Sequence, residues 1–179
     1  MSETQTADTS TAEHLQTQYT ETDLRCRKCQ SIWSPPVANV VNLDTHPQAR
    51  DAILRQTMHK SRCPVCKTEV AIEHIFKVYD PEQKLLVQVR PKWEFNAGGG
   101  EEIYWKRLED LILKHANDDI RVDIVFGFDE MIEKYLGGQA EVEAAMARAE
   151  QERAEHKAPG TIAIEMAAAR KQARENTTA

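Results

Sequence analysis

The sequence predicts an α+β fold in which a zinc-ribbon-like four-cysteine site is joined to a small antiparallel sheet with two or three helices. Three observations predict it. The four cysteines form two Cys-x-x-Cys pairs, "CRKC" at 26–29 and "CPVC" at 63–66. Two β-rich runs flank "DPEQ" at 80–83, which is typical of a hairpin with a type I turn. Segments with apolar residues at helical spacing lie between and after these elements.

The cysteine pairs carry the strongest chemical signal. One Cys-x-x-Cys turn can direct two sulfurs to one ion, and two such turns supply the four tetrahedral thiolates that structural zinc prefers. The 33 residues between the pairs exceed the spacing of compact zinc ribbons, and a helix inserted there accounts for the extra length. We therefore predict one structural zinc ion per chain. The predicted ligands are Cys26, Cys29, Cys63 and Cys66.

Periodicity and turn signals predict the remaining elements of the folded region. Pro35 and Pro36 restrict the chain before the first strand, and Pro47 suits the first position of the helix that follows it. The glycine-rich "NAGGG" at 96–100 separates the hairpin from the most regular amphipathic helix. The predicted elements are a strand at 37–42, a helix at 47–58, a hairpin over 70–90, a helix at 101–116, a strand at 120–126 and a helix at 129–137.

Composition divides the chain into three parts. Residues 1–21 are rich in Thr, Ser, Gln and Glu, so we predict a disordered N-terminal tail there. Residues 22–136 are predicted to form the zinc-binding α+β domain. Residues 137–179 are rich in Ala, Glu and Arg and are predicted to form a helical tail. Its thin apolar stripe fits a solvated helix, a helix that docks in a groove, or one that pairs with a second copy of the chain.

The charge is unevenly distributed along a chain of net charge −6. Residues 21–67 contain eight basic and four acidic residues. Residues 101–179 contain eleven basic and seventeen acidic residues. The basic residues beside the cysteines have two open explanations. They offset the thiolate charge and donate hydrogen bonds to the sulfurs, or they form a patch for nucleic acid. These residues are Arg25, Arg27, Lys28, Lys60, Arg62 and Lys67.

The sequence predicts a cytoplasmic protein without a membrane partner. No apolar run approaches the ~20 residues that a membrane-spanning helix needs. The first residues lack the basic and apolar segments of a secretory signal. In a reducing compartment, paired cysteines are more often metal ligands or redox pairs than structural disulfides.

No motif predicts an enzyme. The sequence contains no nucleophile elbow, no HExxH and no phosphate loop, and a zinc ion held by four thiolates has no open position for water. Read alone, "CPVC" also fits thiol–disulfide exchange. His59 and His74 lie near the second pair but are expected to be ordinary residues, because four cysteines already complete the site.

Three segments of the chain resemble the bacterial CpXC domain family over roughly residues 22–136: "LRCRKC", "NVVNLDTHPQARDAILRQTMHKSRCPVC" and "IFKVYDPEQKLLVQVRP". The chain departs from the family pattern in both cysteine turns. Arg27 stands where the family usually has proline, and Gln30 and Lys67 stand where glycine is usual. The resemblance implies zinc binding by the four cysteines and no established enzymatic activity.

The leading functional prediction is a non-enzymatic, zinc-stabilised binding or adaptor module that contacts another macromolecule, such as a transcription complex or another nucleoprotein complex. The expected partner is a protein or a multiprotein complex, with nucleic acid as a second class and self-association through the C-terminal helix as a further interaction. Two alternatives stay open. One is a nucleic-acid-binding zinc ribbon protein, and the other is a thiol-based, redox-sensing zinc protein.

Overall fold

The computed structural model of the chain describes residues 13–97 and 99–154. These residues form nine strands and five helices. The strands are β1 (Gln18–Glu21), β2 (Leu24–Arg25), β3 (Ile32–Trp33), β4 (Pro36–Asn42), β5 (Lys60–Arg62), β6 (Glu69–Ala71), β7 (Phe76–Asp80), β8 (Leu85–Arg90) and β9 (Arg121–Phe126). The helices are α1 (Gln48–Leu54), α2 (Lys92–Ala97), α3 (Glu101–Lys114), α4 (Phe128–Tyr135) and α5, which covers 138–154 of the described chain.

The central sheet has five strands in the order β1-β4-β7-β8-β9. β1 with β4 and β7 with β8 pair antiparallel, whereas β4 with β7 and β8 with β9 pair parallel. The α+β class is confirmed, but the prediction of an antiparallel sheet is wrong for two of these four pairings. Each parallel pair is joined by a long crossover that contains helices, as parallel pairing requires.

The predicted hairpin is present. β7 and β8 pair from Phe76 opposite Val89 to Asp80 opposite Leu85. The Asp80 carboxylate accepts the backbone N–H groups of the two residues after Pro81, at 3.0 and 3.2 Å. This side-chain bonding to the following backbone is the reason that an Asp-Pro sequence favours a turn.

Helices cover both faces of the sheet. On one face, α1, α4 and α5 pack on the alternate residues of β7 and β8 that include Phe76 and Leu85. On the other face, α3 packs Leu111 against Ile124 and Phe126 of β9. The short helix α2 was not predicted, because it is six residues long and none of its side chains is fully buried. None of the helices within 13–97 and 99–154 is long and apolar enough to cross a membrane.

The predicted N-terminal disorder is wrong for the part of 1–21 that the structure describes. β1 pairs with β4, with Tyr19 opposite Ala38 and Glu21 opposite Pro36. All four side chains of β1 are exposed. The strand is therefore held by backbone hydrogen bonds, and these leave no apolar signal in the composition. Residues 1–12 lie outside the described residues.

Part of the apolar stripe of α5 faces the domain, whereas Met146 is exposed. Ala145 is fully buried in the main core and Ala149 is also buried. The Arg148 guanidinium lies 2.7 Å from the Asp51 carboxylate of α1. This part of the predicted C-terminal tail therefore packs on α1 and the sheet. Residues 155–179, with the predicted last helix, lie outside the described residues, and the domain boundary at 136/137 stays a prediction.

Candidate metal centre

Two small hairpins carry the cysteines. β2 pairs with β3, and the loop between them holds Cys26 and Cys29. β5 pairs with β6, and the loop between them holds Cys63 and Cys66. Neither hairpin belongs to the five-stranded sheet. The first hairpin directly precedes β4, and the second lies in the connection from β4 to β7. Because β4 and β7 are neighbours in the sheet, the two loops come close together.

The two loops share one backbone conformation. In each loop, the backbone N–H of the first cysteine donates to the carbonyl of the residue five positions later. The carbonyl of the same cysteine accepts the N–H of the residue four positions later. The N···O distances are 2.9 and 2.9 Å in the first loop and 2.9 and 3.0 Å in the second. Gln30 (φ 62°) and Lys67 (φ 60°) occupy equivalent left-handed positions directly after the second cysteine of each pair. Glycine suits such a position, and the turn forms here without it.

The four sulfurs converge. Cys26 Sγ lies 3.4 Å from Cys66 Sγ, and Cys29 Sγ lies 3.5 Å from Cys63 Sγ. All four sulfurs lie within 4.8 Å of one another, and none of the four cysteines is in a disulfide. Four sulfurs at about 2.3 Å from a tetrahedral ion lie about 3.8 Å apart, so the cluster has the size of a metal site. The predicted convergence of the two pairs on one site is confirmed.

Two hydroxyl groups accompany the sulfurs. Ser31 Oγ lies 3.1 Å from Cys29 Sγ and 3.0 Å from Cys63 Sγ, so it contacts sulfurs of both loops. Thr68 Oγ1 lies 3.2 Å from Cys66 Sγ. The sequence analysis missed both residues. A signal for them exists, since each lies two residues after the second cysteine of its pair.

These contacts bias two thiols toward the thiolate that a metal binds. Burial raises the pKa of Cys63, but the Ser31 hydroxyl and backbone N–H groups outweigh it and lower the pKa to about 6. The side chain and backbone of Thr68 lower the pKa of Cys66. For Cys26, the backbone N–H of Cys29 lowers the pKa, but burial and the neighbouring thiols raise it overall. Because thiolates are the metal-binding form, Cys63 and Cys66 are the better prepared ligands.

The predicted hydrogen bonds from basic side chains to the sulfurs are not present among the described contacts. Lys60 and Arg62 lie 3.7 and 3.9 Å from the Glu69 carboxylate. Lys67 Nζ donates to the Pro64 carbonyl at 2.8 Å. The other three basic residues are exposed on the first loop and the strand before it: Arg25, Arg27 and Lys28. The described contacts of Lys60, Arg62 and Lys67 are therefore with oxygen atoms and not with the sulfurs.

A further hydrogen bond joins the two hairpins. Trp33 Nε1 in β3 donates to Ser61 Oγ in β5 at 3.0 Å. Together with the bridging position of Ser31, this bond gives the hairpins a contact that does not pass through a metal. The relative placement of the loops therefore depends on side chains as well as on the sulfurs.

The two nearby histidines have other partners. His59 Nε2 accepts the N–H of Ala38 at 3.0 Å, and His74 Nε2 lies 2.8 Å from Asn39 Oδ1. Burial, and next the charge of His74, lower the pKa of His59 to about 4, so this ring is neutral at physiological pH. Both rings line a cleft of about 340 Å³ beside the second hairpin. Both therefore belong to the packing around β4 and to this cleft.

Comparison with known proteins identifies the chain at the level of its family. A family model described as "CpXC protein" matches residues 24–149, well over half of the chain. Searches of curated proteins and of solved structures gave no significant match. The matched residues include both hairpins, the five-stranded sheet except β1, and α1 to α4. The chain therefore belongs to the CpXC family.

Proposed function

We propose that this CpXC protein is a non-enzymatic binding module in which one structural zinc ion holds two cysteine hairpins against a mixed sheet. The observation that carries the proposal is the convergence of four sulfurs within 4.8 Å. Four thiolates fill a tetrahedral zinc sphere and leave no position for a substrate or a reactive water. The ion would then support a surface, and binding of a partner is the function that such a surface serves.

Metal analysis tests the zinc site. The purified protein is expected to contain about one zinc per chain. Cys63→Ser removes one of the four ligands, so this variant is expected to lose the metal. Val65→Ala is the matched control, because Val65 lies in the same loop and is exposed. Zinc retained by Cys63→Ser, or a different metal in the wild-type protein, would contradict the proposal.

The outward face of α3 supports a protein as the partner. Trp105, Ile112 and Leu113 have relative exposures of 63%, 49% and 68%. Their spacing of seven and eight residues places them on one side of the helix. Leu111 on the opposite side packs on Ile124 of the sheet. Exposed tryptophan and aliphatic side chains grouped on one face are characteristic of protein-binding surfaces.

The charges on this face favour a partner protein over nucleic acid. Glu102, Lys106 and Glu109 lie on or beside this face, so it carries both signs and no excess of positive charge. A nucleic-acid surface requires clustered positive charge, whereas a groove-docking helix presents apolar anchors at this helical spacing. We therefore assign the α3 face to a partner protein with an apolar groove.

A charge-introducing variant tests this surface. The double variant Trp105→Glu, Leu113→Glu is expected to lose the partner, since one interface hot spot contributes about 2 kcal/mol or more. Met146→Glu is the control, because Met146 is an exposed apolar residue on α5. Proteins cross-linked to each variant are quantified, and the affinity of the enriched partner is then measured with pure proteins. Equal binding by the double variant and the wild-type protein would contradict the assignment.

Nucleic acid is the second candidate because three basic residues of the first hairpin are exposed: Arg25, Arg27 and Lys28. Binding through them would weaken steeply as salt rises. The triple alanine variant would then bind less tightly by a similar factor for every sequence tested. Absence of binding to duplex or single-stranded DNA and RNA at about 50 mM salt would exclude this candidate.

A further inference from the structure

A second cluster of titratable side chains lies away from the cysteines, beside a cleft of about 460 Å³. Asp118 Oδ2 lies 2.8 Å from His14 Nε2 and 2.7 Å from His115 Nδ1. The Nζ atom of Lys77, in β7, lies 3.0 Å from His115 Nε2. The cluster joins the segment before β1, the middle of the sheet and the turn after α3. It is independent of the zinc site and of the α3 face.

Hydrogen-bonding rules fix the protons of this cluster. The Lys77 ammonium group has donors only, so His115 Nε2 must accept. The single proton of a neutral imidazole is then on Nδ1, where it is donated to Asp118. Burial lowers the pKa of His115 and keeps the ring neutral, although the bond to Asp118 opposes this. The result is a directed chain from Lys77 through His115 to Asp118, in which each of these contacts is satisfied.

This arrangement disfavours a metal ion, although the ligand types suit one. The ligand atoms of His14, His115 and Asp118 all lie within 4.8 Å of one another, and two histidines with one carboxylate form a common metal site. A metal at His115 Nδ1 would move the ring proton to Nε2, where it would point at an ammonium group that cannot accept it. The positive charge of Lys77 also repels a cation.

Among the described residues, Lys77 instead has no carboxylate in direct contact, and Asp118 lies beyond the His115 ring. The Lys77 side chain is half-buried, and within the described part of the chain it makes no ion pair with a carboxylate. Burial, and next the charge of Lys114, lower the pKa of Lys77 and outweigh the Asp118 carboxylate, which raises it. A cation that is partly removed from water and only distantly balanced by a carboxylate is unfavourable, and an anion in the cleft would relieve that cost.

We propose that the cleft beside Lys77 binds a small anionic ligand, either a carboxylate or a phosphate ester. Lys77 would make the charge-assisted hydrogen bond to the anionic oxygens, held in place by His115 and Asp118. Lys114 supplies a second positive charge at the cleft. The lining also includes the Asp118 carboxylate, which is already bonded to His14 and His115, and side-chain amides, which can donate to anionic oxygens. These amides belong to Gln18, Asn39 and Asn117.

Titration with simple anions tests the proposal on the full, zinc-loaded chain. Inorganic phosphate and acetate are added in separate series, with chloride holding the ionic strength constant, while NMR follows the Lys77 and His115 resonances. A saturable shift is expected in at least one series, and the series that saturates distinguishes a phosphate from a carboxylate ligand. Saturation in neither series would overturn the proposal.

Matched lysine variants locate the site. Lys77→Met is expected to weaken anion binding at least about tenfold, since a hydrogen bond to a charged group is lost. Lys106→Met removes the same charge from an exposed position on α3 and is expected to leave binding unchanged. If Lys77→Met fails to fold, Lys114→Met serves instead, with a several-fold loss expected. Equal losses in Lys77→Met and Lys106→Met, or zinc-induced shifts at His14 and His115, would overturn the proposal.

Discussion

At the scale of single residues, each cysteine loop contains one non-glycine residue in the unfavourable left-handed backbone conformation. Gln30 adopts φ 62° and Lys67 adopts φ 60°. The left-handed region costs an L-residue about 1–2 kcal/mol, because Cβ approaches the following carbonyl oxygen. Gln30 recovers part of this cost by donating from Nε2 to the Arg27 carbonyl at 3.2 Å.

Gln30→Gly is therefore expected to stabilise the protein. Removing Cβ relieves the left-handed strain. The greater freedom of glycine in the unfolded chain offsets about 0.5–1 kcal/mol of this stabilisation. Glycine also lacks the bond from Gln30 Nε2 to the Arg27 carbonyl, so the expected net gain is at most about 1 kcal/mol in the free energy of unfolding, measured by urea denaturation of the zinc-loaded protein. Lys28→Gly is the control, because Lys28 lies in the same loop without a positive φ, and this change is expected to destabilise. A loss of stability in Gln30→Gly would contradict the strain argument.

The sequence was sufficient to predict the cysteine cluster but not the groups around it. Cysteine is a rare residue with few roles, so two pairs at ligand spacing predict convergence without any structure. Ser31 and Thr68 are common surface residue types, and their role depends on a contact to a sulfur two residues before them. Only the comparison of one loop with the other distinguishes these hydroxyls from ordinary ones.

At the scale of elements, one carboxylate joins a strand and two helices. Glu94 in α2 accepts two hydrogen bonds from Arg90 at the end of β8, at 2.6 and 2.8 Å, and lies 3.4 Å from Arg107 Nε in α3. The Glu94 and Arg90 side chains are only 12% and 9% exposed. A paired, desolvated carboxylate of this kind fixes the short helix α2, which has no fully buried residue of its own.

The link at Glu94 predicts a loss of stability in acid. Hydrogen bonds from Arg90, together with the charges of Arg90 and Arg107, hold the pKa of Glu94 below its ordinary value of 4.5. The folded state therefore binds this proton less tightly than the unfolded state. The stabilisation is complete above pH 4.5 and is lost as pH falls through the lowered pKa.

Glu94→Gln is expected to remove this pH dependence. At neutral pH the variant should lose about 2 kcal/mol, because Arg90 keeps a neutral acceptor in place of a charged one. The difference from the wild-type protein should shrink as the pH falls below 4.5, as measured by urea unfolding across a pH series. Glu109→Gln, at an exposed position on α3, is expected to behave like the wild-type protein. A constant difference at every pH would contradict the role assigned to Glu94.

Elements that bury one face of apolar side chains were predictable from the sequence. Elements held in place by backbone hydrogen bonds or by ion pairs to residues distant in the sequence were not. β9 shows the first case, since its alternating apolar residues predicted a strand that the structure confirms at Arg121–Phe126. β1 shows the second, since its side chains are exposed and β4 supplies its hydrogen bonds. Parallel pairing was also unpredictable, because it depends on the path of crossovers rather than on any single segment.

At the scale of the whole molecule, the candidate metal centre and the sheet are two adjoining units that are stabilised by different contacts. The main core contains buried residues of β7, β8 and β9 with α1, α4 and α5, and no residue of the two cysteine hairpins. The hairpins are short and contribute few buried apolar side chains beyond the cysteines Cys26 and Cys63. A metal ion would therefore stabilise the hairpins directly and the sheet only through their connections.

Removal of the metal is accordingly expected to loosen the hairpins while the sheet stays folded. Hydrogen exchange measured after chelation should become fast over 24–33 and 60–71, whereas β7 and β8 should keep their protection. Reloading with zinc serves as the control and should restore slow exchange in both hairpins. Loss of protection in β7 and β8 together with the hairpins would show that the two units unfold as one.

The exposed strand β1 has a practical consequence for shortened forms of this protein. The family match begins at residue 24, so a fragment cut to that match would lack Gln18–Glu21. Its removal would leave the outer N–H and C=O groups of β4 without partners along one side of the sheet. Unpaired sheet borders promote intermolecular strand addition and aggregation. Poor solubility of such a fragment would therefore reflect the unpaired border of β4 together with the loss of the buried Leu15.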